Sequence, residues 1–187
     1  MPKRWRRFVI VVPGMVMLVL TSRLSAWPGS LTTYACAGLN CAGITNTPTV
    51  VLTLNGTDQT VSYTLTLDLN NTTNLQGWQL TITSTRFTTA SAPTHTLPTA
   101  ASSIASVTAV CQSGQICAAM PVNIMTGYPI AVPAGSPAPT PVTFYDIQSG
   151  SGLGDFTISV VIHIRIPATA YKGDYTSTIT LAFISGQ

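Results

Sequence analysis

Val61-Ser62-Tyr63-Thr64-Leu65-Thr66-Leu67-Asp68-Leu69 alternates apolar and polar residues at every step. Successive side chains of an extended chain point to opposite faces, so this stretch reads as a strand with one face in a core and the other in water. The same period returns at Phe156, Ile158, Val160, Ile162, Ile164 and Ile166, with Thr157, Ser159, His163 and Arg165 facing away. It appears once more at Tyr175, Ile179, Leu181 and Phe183, against Thr176, Thr178 and Thr180. Further strands are expected at Thr49 to Leu54, Trp78 to Thr85, Ala105 to Cys111 and Val142 to Ile147. Nothing sustains a helical apolar period, so no long helix is expected. Turn chemistry separates these runs at Asn55-Gly56, at Asn70 to Asn74 and at Pro167 to Asp174. About seven strands divided in this way define an all-β fold, an antiparallel β-sandwich. Thr88 to Ser103 and Pro133 to Pro141 read as irregular loops, since the flanking pieces are too short to bury separate cores.

Outward from this core, the N-terminus has a different character. Lys3, Arg4, Arg6, Arg7 and Arg23 bracket the apolar run Phe8 to Leu20, the layout of an export signal. The run is 13 residues long, short of the roughly 17 to 25 a spanning helix needs, and Pro13-Gly14 weakens any helix through it. It is therefore read as a cleaved leader over residues 1–26, ending at Ala26. A cut after Ala37 offers the small residues Ala35 and Ala37 but lies far from the apolar run. Residues 27–187 then form a single domain. No hydrophobic tail or basic end follows the last strand before Gln187, so no membrane anchor is expected after cleavage.

Charge excludes one class of partner. Beyond the leader, Arg86, Arg165 and Lys172 stand against Asp58, Asp68, Asp146, Asp155 and Asp174, and there is no Glu. A net charge of −2 with scattered cations is unsuited to phosphate backbones, so no nucleic acid is expected. Four cysteines, Cys36, Cys41, Cys111 and Cys117, fit an oxidising compartment. Three pairings are open; each couple flanks a short Gly-containing turn, which favours pairing within couples. Their spacing and the shortage of histidines speak against zinc.

Enzyme chemistry has little to work with. His95 sits in a Pro/Thr-rich loop and His163 on the polar face of a strand, both readable as solvated side chains. Asp146, Asp155 and Asp174 fall at strand ends without a dense Asp/Asn loop for calcium. The chain is read as a non-enzyme with no cofactor and no metal. Asn55, Asn70 and Asn71 open Asn-x-Thr sequences, which read as ordinary turn residues. Trp78, Leu80 and Ile82 share one face of a strand. Trp78 is either a core residue plugging the end of the sandwich or a flat surface for a sugar ring, and Tyr128, Tyr145 and Tyr171 near loops are further aromatic candidates.

Trp78-Gln79-Leu80, the later Val142-Thr143-Phe144-Tyr145-Asp146 and the closing Ala170-Tyr171-Lys172-Gly173-Asp174-Tyr175-Thr176-Ser177-Thr178-Ile179-Thr180-Leu181 occur in the order seen in another group. Over roughly Thr49 to Gln187 the chain resembles the WxL-domain proteins of bacterial cell surfaces. Where a second Trp-x-Leu motif falls in that family, this chain has Leu181-Ala182-Phe183. The resemblance implies a β-rich module associating non-covalently with peptidoglycan or another cell-wall polymer, with Trp78 and Leu80 as the binding candidates. The expected location is extracellular, at the cell surface or wall, with other surface proteins as further partners. A rival expectation is a structural subunit of a surface fibre or coat, because few charges guard its strand edges against pairing.

Overall fold

Two 13-residue strands, β4 (Gln59–Asn71) and β11 (Gly154–Ile166), form the spine of the computed structural model, which describes residues 8–10, 15–20, 41–46, 48, 50–71, 76–90 and 92–185. They pair antiparallel in unbroken register from Gly154 opposite Asn71 to Ile166 opposite Gln59. Inward-facing residues therefore meet as pairs: Phe156 with Leu69, Ile158 with Leu67, Val160 with Leu65, Ile162 with Tyr63 and Ile164 with Val61. All ten are buried, and burial of each large apolar side chain contributes about 1.5 to 3 kcal/mol. Such opposed pairs also lock the register, since a one-residue slip would turn the whole apolar set toward water.

The remaining named strands are β1 (Phe8–Ile10), β2 (Met15–Leu20), β3 (Cys41–Ile44), β5 (Trp78–Thr85), β6 (Thr88–Thr89), β7 (Ser102–Cys111), β8 (Ile130–Ala131), β9 (Ala134–Gly135), β10 (Val142–Ile147) and β12 (Asp174–Ser185). One sheet runs β3-β4-β11-β7-β8 and the other β1-β2-β12-β5-β10, with β6 on β12 and β9 on β5. Their facing sides make one core, to which the second sheet brings Trp78, Leu80 and Ile82 from β5, Phe144, Tyr145 and Ile147 from β10, and Tyr175 and Ile179 from β12. The fold is an antiparallel β-sandwich without helix among the described residues, and β5–β9 is its short parallel pairing. No helix among the described residues is long and apolar enough to cross a membrane. Near the N-terminus β1 and β2 pair antiparallel, and β2 lies along β12 at Asp174–Thr178.

Three local outcomes differ from the expected strand map. Thr49 lies outside the described residues, and Val51 to Leu54 join no ladder although their exposure alternates. Alternation reports burial of one face, not pairing; here the edge of β4 is served by β3 and by Asn46, whose side chain bonds Thr64 O at 2.8 Å and Thr66 N at 2.7 Å. Asn70 and Asn71, expected in a turn, continue the β4 ladder because their amides find partners: Asn70 donates to Asp155, and Asn71 donates to Gly152 O at 2.7 Å. β7 begins three residues early, with Ser102 buried opposite Ile164. The expected turn at Asn55-Gly56 is present, with Asn55 Oδ1 accepting from Thr57 N at 2.9 Å and Gly56 at φ +83°.

The Pro-rich stretch from Pro133 is docked rather than free. Ser84 N donates to Pro133 O at 2.9 Å, Arg86 N to Gly135 O at 3.0 Å and Thr83 Oγ1 to Pro139 O at 2.8 Å. It thereby continues, beside the end of β5, the position that β10 holds along its start.

Candidate functional site

The Trp78 end of the sandwich is closed. Trp78 and Leu80 are both 0% exposed. The indole Nε1 donates to Gly152 O at 3.1 Å, which gives the one polar atom of a buried tryptophan its partner. Around the ring pack Tyr145 and Phe183, each with its centroid 5.6 Å away and tilted. Two glycines make the enclosure possible. Gly77 sits at φ +82°, and a Cβ there would lie 2.6 Å from Ile147 O; at Gly152, φ +70°, it would lie 2.7 Å from Trp78 Nε1. Both positions need the left-handed backbone and the absent side chain together.

The stretches that carry the family resemblance are therefore neighbours in space. Phe183 pairs with Leu80 and Leu181 with Ile82 across β12 and β5, and Tyr145 pairs with Leu80 across β10 and β5. Phe183, the last residue of the Leu181-Ala182-Phe183 stretch, packs on Trp78. This burial corrects the reading of Trp78 and Leu80 as polymer-contacting residues: an enclosed side chain offers no face to a polysaccharide, and their place is in the packing of the sandwich end. Tyr145 is buried with them, and burial, helped by nearby Tyr128, pushes its phenol up to about 12. Tyr128 is half-buried, its hydroxyl donating to Phe144 O at 2.6 Å.

The opposite end of β5 is open. Arg86 follows the last β5 residue and lines a groove of about 700 Å³ together with Thr94 to Thr99, Pro167, Thr169, Ala170, Tyr171 and Tyr175. That volume is within the range of small-ligand sites. Its walls are the loops after β6 and after β11, and both are tied down. Thr89 N donates to His95 O at 2.9 Å, His95 N donates to Thr89 Oγ1 at 2.8 Å, and Leu97 N donates to Phe87 O at 3.0 Å. On the other side Ala170 N donates to Pro167 O at 2.9 Å, and the Tyr175 hydroxyl donates to Tyr171 O at 3.1 Å. Across the groove the His95 and Tyr171 rings stack, centroids 3.9 Å apart and planes 9° from parallel. Tyr171 is 62% exposed. A stacked flat aromatic pair, threonine hydroxyls and a guanidinium give the groove an apolar face beside hydrogen-bond donors.

Other anticipated residues stay dispersed. Asp155 and Asn70 pair on the outer side of the five-stranded sheet, Asp174 opens β12 at the groove end, and Asp146 is on β10. His163 faces out from β11 between Ser62 and Ser103. Among the described residues no three His, Cys, Asp or Glu gather as a metal site. Cys111 and Cys117 form a disulfide with Cα atoms 5.9 Å apart, the expected pairing within that couple. Cys36 lies outside the described residues. The backbone of Cys41 lies opposite Asn70 in β3.

Arg86 and His95 were not singled out as binding residues from sequence. A signal exists for Arg86: it is the lone Asp, Glu, Lys or Arg between Asp68 and Asp146. No protein-family model, curated protein or solved structure matches the chain. Its class is accordingly stated from its own geometry: an all-β sandwich, closed around a tryptophan at one end and open in an aromatic-lined groove at the other.

Proposed function

We propose that residues 27–187 are a secreted, non-enzymatic protein of the cell surface that associates non-covalently with the cell wall, through peptidoglycan or another surface polymer. The observation that carries this reading is the groove bounded by Arg86, His95 and Tyr171, which offers a sugar unit a flat aromatic face beside hydrogen-bond donors. The export-like start, the Cys111–Cys117 disulfide and the WxL-like order of segments support it, since each belongs to a protein working outside the cell. Sedimentation with purified cell walls tests it: the protein is expected in the pellet, and a protein left wholly in the supernatant removes the binding claim.

A specific observation favours a second reading, a structural subunit of a surface fibre or coat. Ala119–Asn123 runs extended along the corner between β10 and β11. The surrounding stretch exposes Ile116, at 90%, with Met120, Val122 and Ile124 at every second position that follows. An uncharged apolar ridge of this kind is suited to face-to-face association. Size-exclusion chromatography across a concentration series decides between them, because a persistent monomer argues against the subunit.

A further inference from the structure

We propose that the groove selects an anionic sugar unit, one bearing a carboxylate or a phosphate, with the Arg86 guanidinium holding the anion and the outer face of Tyr171 carrying the ring. This rests on the reading of the groove as the polymer-binding site. Three features point to an anion rather than to a neutral sugar. Arg86 lines the groove, and its Nε is buried with no hydrogen-bond partner among the described residues. The Nε lies out of reach of solvent, so an incoming oxyanion meets the part of the guanidinium that lines the groove, through a charge-assisted bond. Among the described residues no carboxylate lines the groove to compete for the guanidinium.

The third feature is placement. Arg86 is fixed at the end of β5 by its own N–H bonding to Gly135 O at 3.0 Å and by Thr88 Oγ1 donating to its carbonyl at 3.1 Å. Tyr171 is held from the opposite wall through Tyr175, and His95 backs it at 3.9 Å. The cation and the stacked aromatic pair thus line one groove, where a charged substituent and a ring can be held at once. A neutral glycan would meet the aromatic pair and the threonines but would offer the guanidinium only neutral acceptors, which bond a cation more weakly than an oxyanion does.

The proposal is tested by titrating the purified protein with three soluble probes and reading heat or tyrosine and histidine NMR shifts. The probes are galacturonic acid oligomers for carboxylate, a glycerol-phosphate polymer for phosphate, and dextran as the neutral comparison. At least one anionic probe is expected to bind about ten-fold tighter than dextran, the worth of one charge-assisted contact, and to weaken at roughly 0.5 M salt. Which anionic probe binds separates a carboxylate-bearing from a phosphate-bearing source. Arg86→Gln is expected to abolish the anionic preference and Arg86→Lys to retain part of it, while Tyr171→Ala weakens all probes together. Equal binding of dextran and both anions, binding of none, or an Arg86→Gln protein that keeps the preference overturns the proposal. Wall sedimentation of the same samples keeps the two readings apart: pelleting without anionic preference leaves wall association standing and removes only the selection.

Should Arg86→Gln fail to fold, the Tyr171→Ala variant still decides. Its side chain is mostly exposed, and a folded Tyr171→Ala protein that binds the anionic probe as tightly as wild type also overturns the proposal.

Discussion

β5 joins two contrasting ends. At its start Trp78 is enclosed by Tyr145, Phe183 and the Gly152 turn, with every polar atom of the ring satisfied. Past its end, roughly 25 Å further along the strand, Arg86 borders an open groove with a buried nitrogen lacking a partner among the described residues and an exposed tyrosine beside it. The same three strands, β10, β5 and β12, supply the closed end, whereas the open end is built by loops. Packing density favours stability at the first and leaves room for a ligand at the second. An aromatic residue is thus enclosed in the fold at one end and exposed at the other, where the proposed function makes it a contact for a polymer.

The sharpest way to separate the ends is to remove the enclosed ring. Trp78→Ala is expected to lower stability by about 3 to 5 kcal/mol in urea unfolding, through lost burial and a cavity that the flanking strands cannot fill. A change below about 1 kcal/mol would mean that the ring is not packed as described. Next in size comes Gly152→Ala, expected to cost roughly 1 to 3 kcal/mol, because its new Cβ meets Trp78 Nε1 at 2.7 Å on a left-handed backbone. The substitution Gly56→Ala is the control, since that glycine shares the backbone conformation with nothing within 4 Å; it should cost less, and equal costs would show backbone strain alone at work.

A third test uses pH. Burial raises the phenols of Tyr63, Tyr128 and Tyr175, and that of Tyr145 to about 12. For a group whose folded value lies above its unfolded one, the stabilisation is complete below the unfolded value and is lost as pH rises through the folded value. Stability is therefore expected to hold up to about pH 10, the ordinary tyrosine value, and to fall steeply toward pH 12. Tyr145→Phe should flatten part of that fall, and an unchanged alkaline profile would place Tyr145 in water. The smallest effect belongs to the exposed ion pair of Asp58 with Arg165 at 2.7 Å. The Arg165 hydrogen bond, joined by the Ala168 N–H, holds the Asp58 carboxyl below its usual value, so whatever it contributes is present above that value and lost as pH falls. Asp58→Asn should leave the melting temperature nearly unchanged at neutral pH, because exposed pairs are screened; a large drop would show the β11–β12 loop to be held by this pair.

Much of the closed end was legible in the chain. Alternation in Val61 to Leu69 and Phe156 to Ile166 forces one face inward, and the structure pairs these two runs residue for residue. Trp78, Leu80 and Phe183 declared themselves as apolar members of strands, although sequence left the direction of the tryptophan face open. The open end was far less legible. Arg86, His95 and Tyr171 come from a strand end and two loops, and their meeting depends on how those loops fold back, which no periodic pattern records. Polar runs such as Asn70-Asn71 also misled: they read as a turn, yet the side chains of Asp155 and the carbonyl of Gly152 give their amides a place inside the ladder.

Wall attachment through the open end, with the tryptophan end serving the fold, is tested most directly by sedimenting wild type, Tyr171→Ala and Trp78→Phe with the same purified cell walls after measuring the melting of each. Tyr171→Ala is expected to melt like wild type and remain in the supernatant, while Trp78→Phe is expected to melt earlier and still pellet. Tyr171→Ala pelleting as wild type does, with Trp78→Phe folded but unbound, would contradict it.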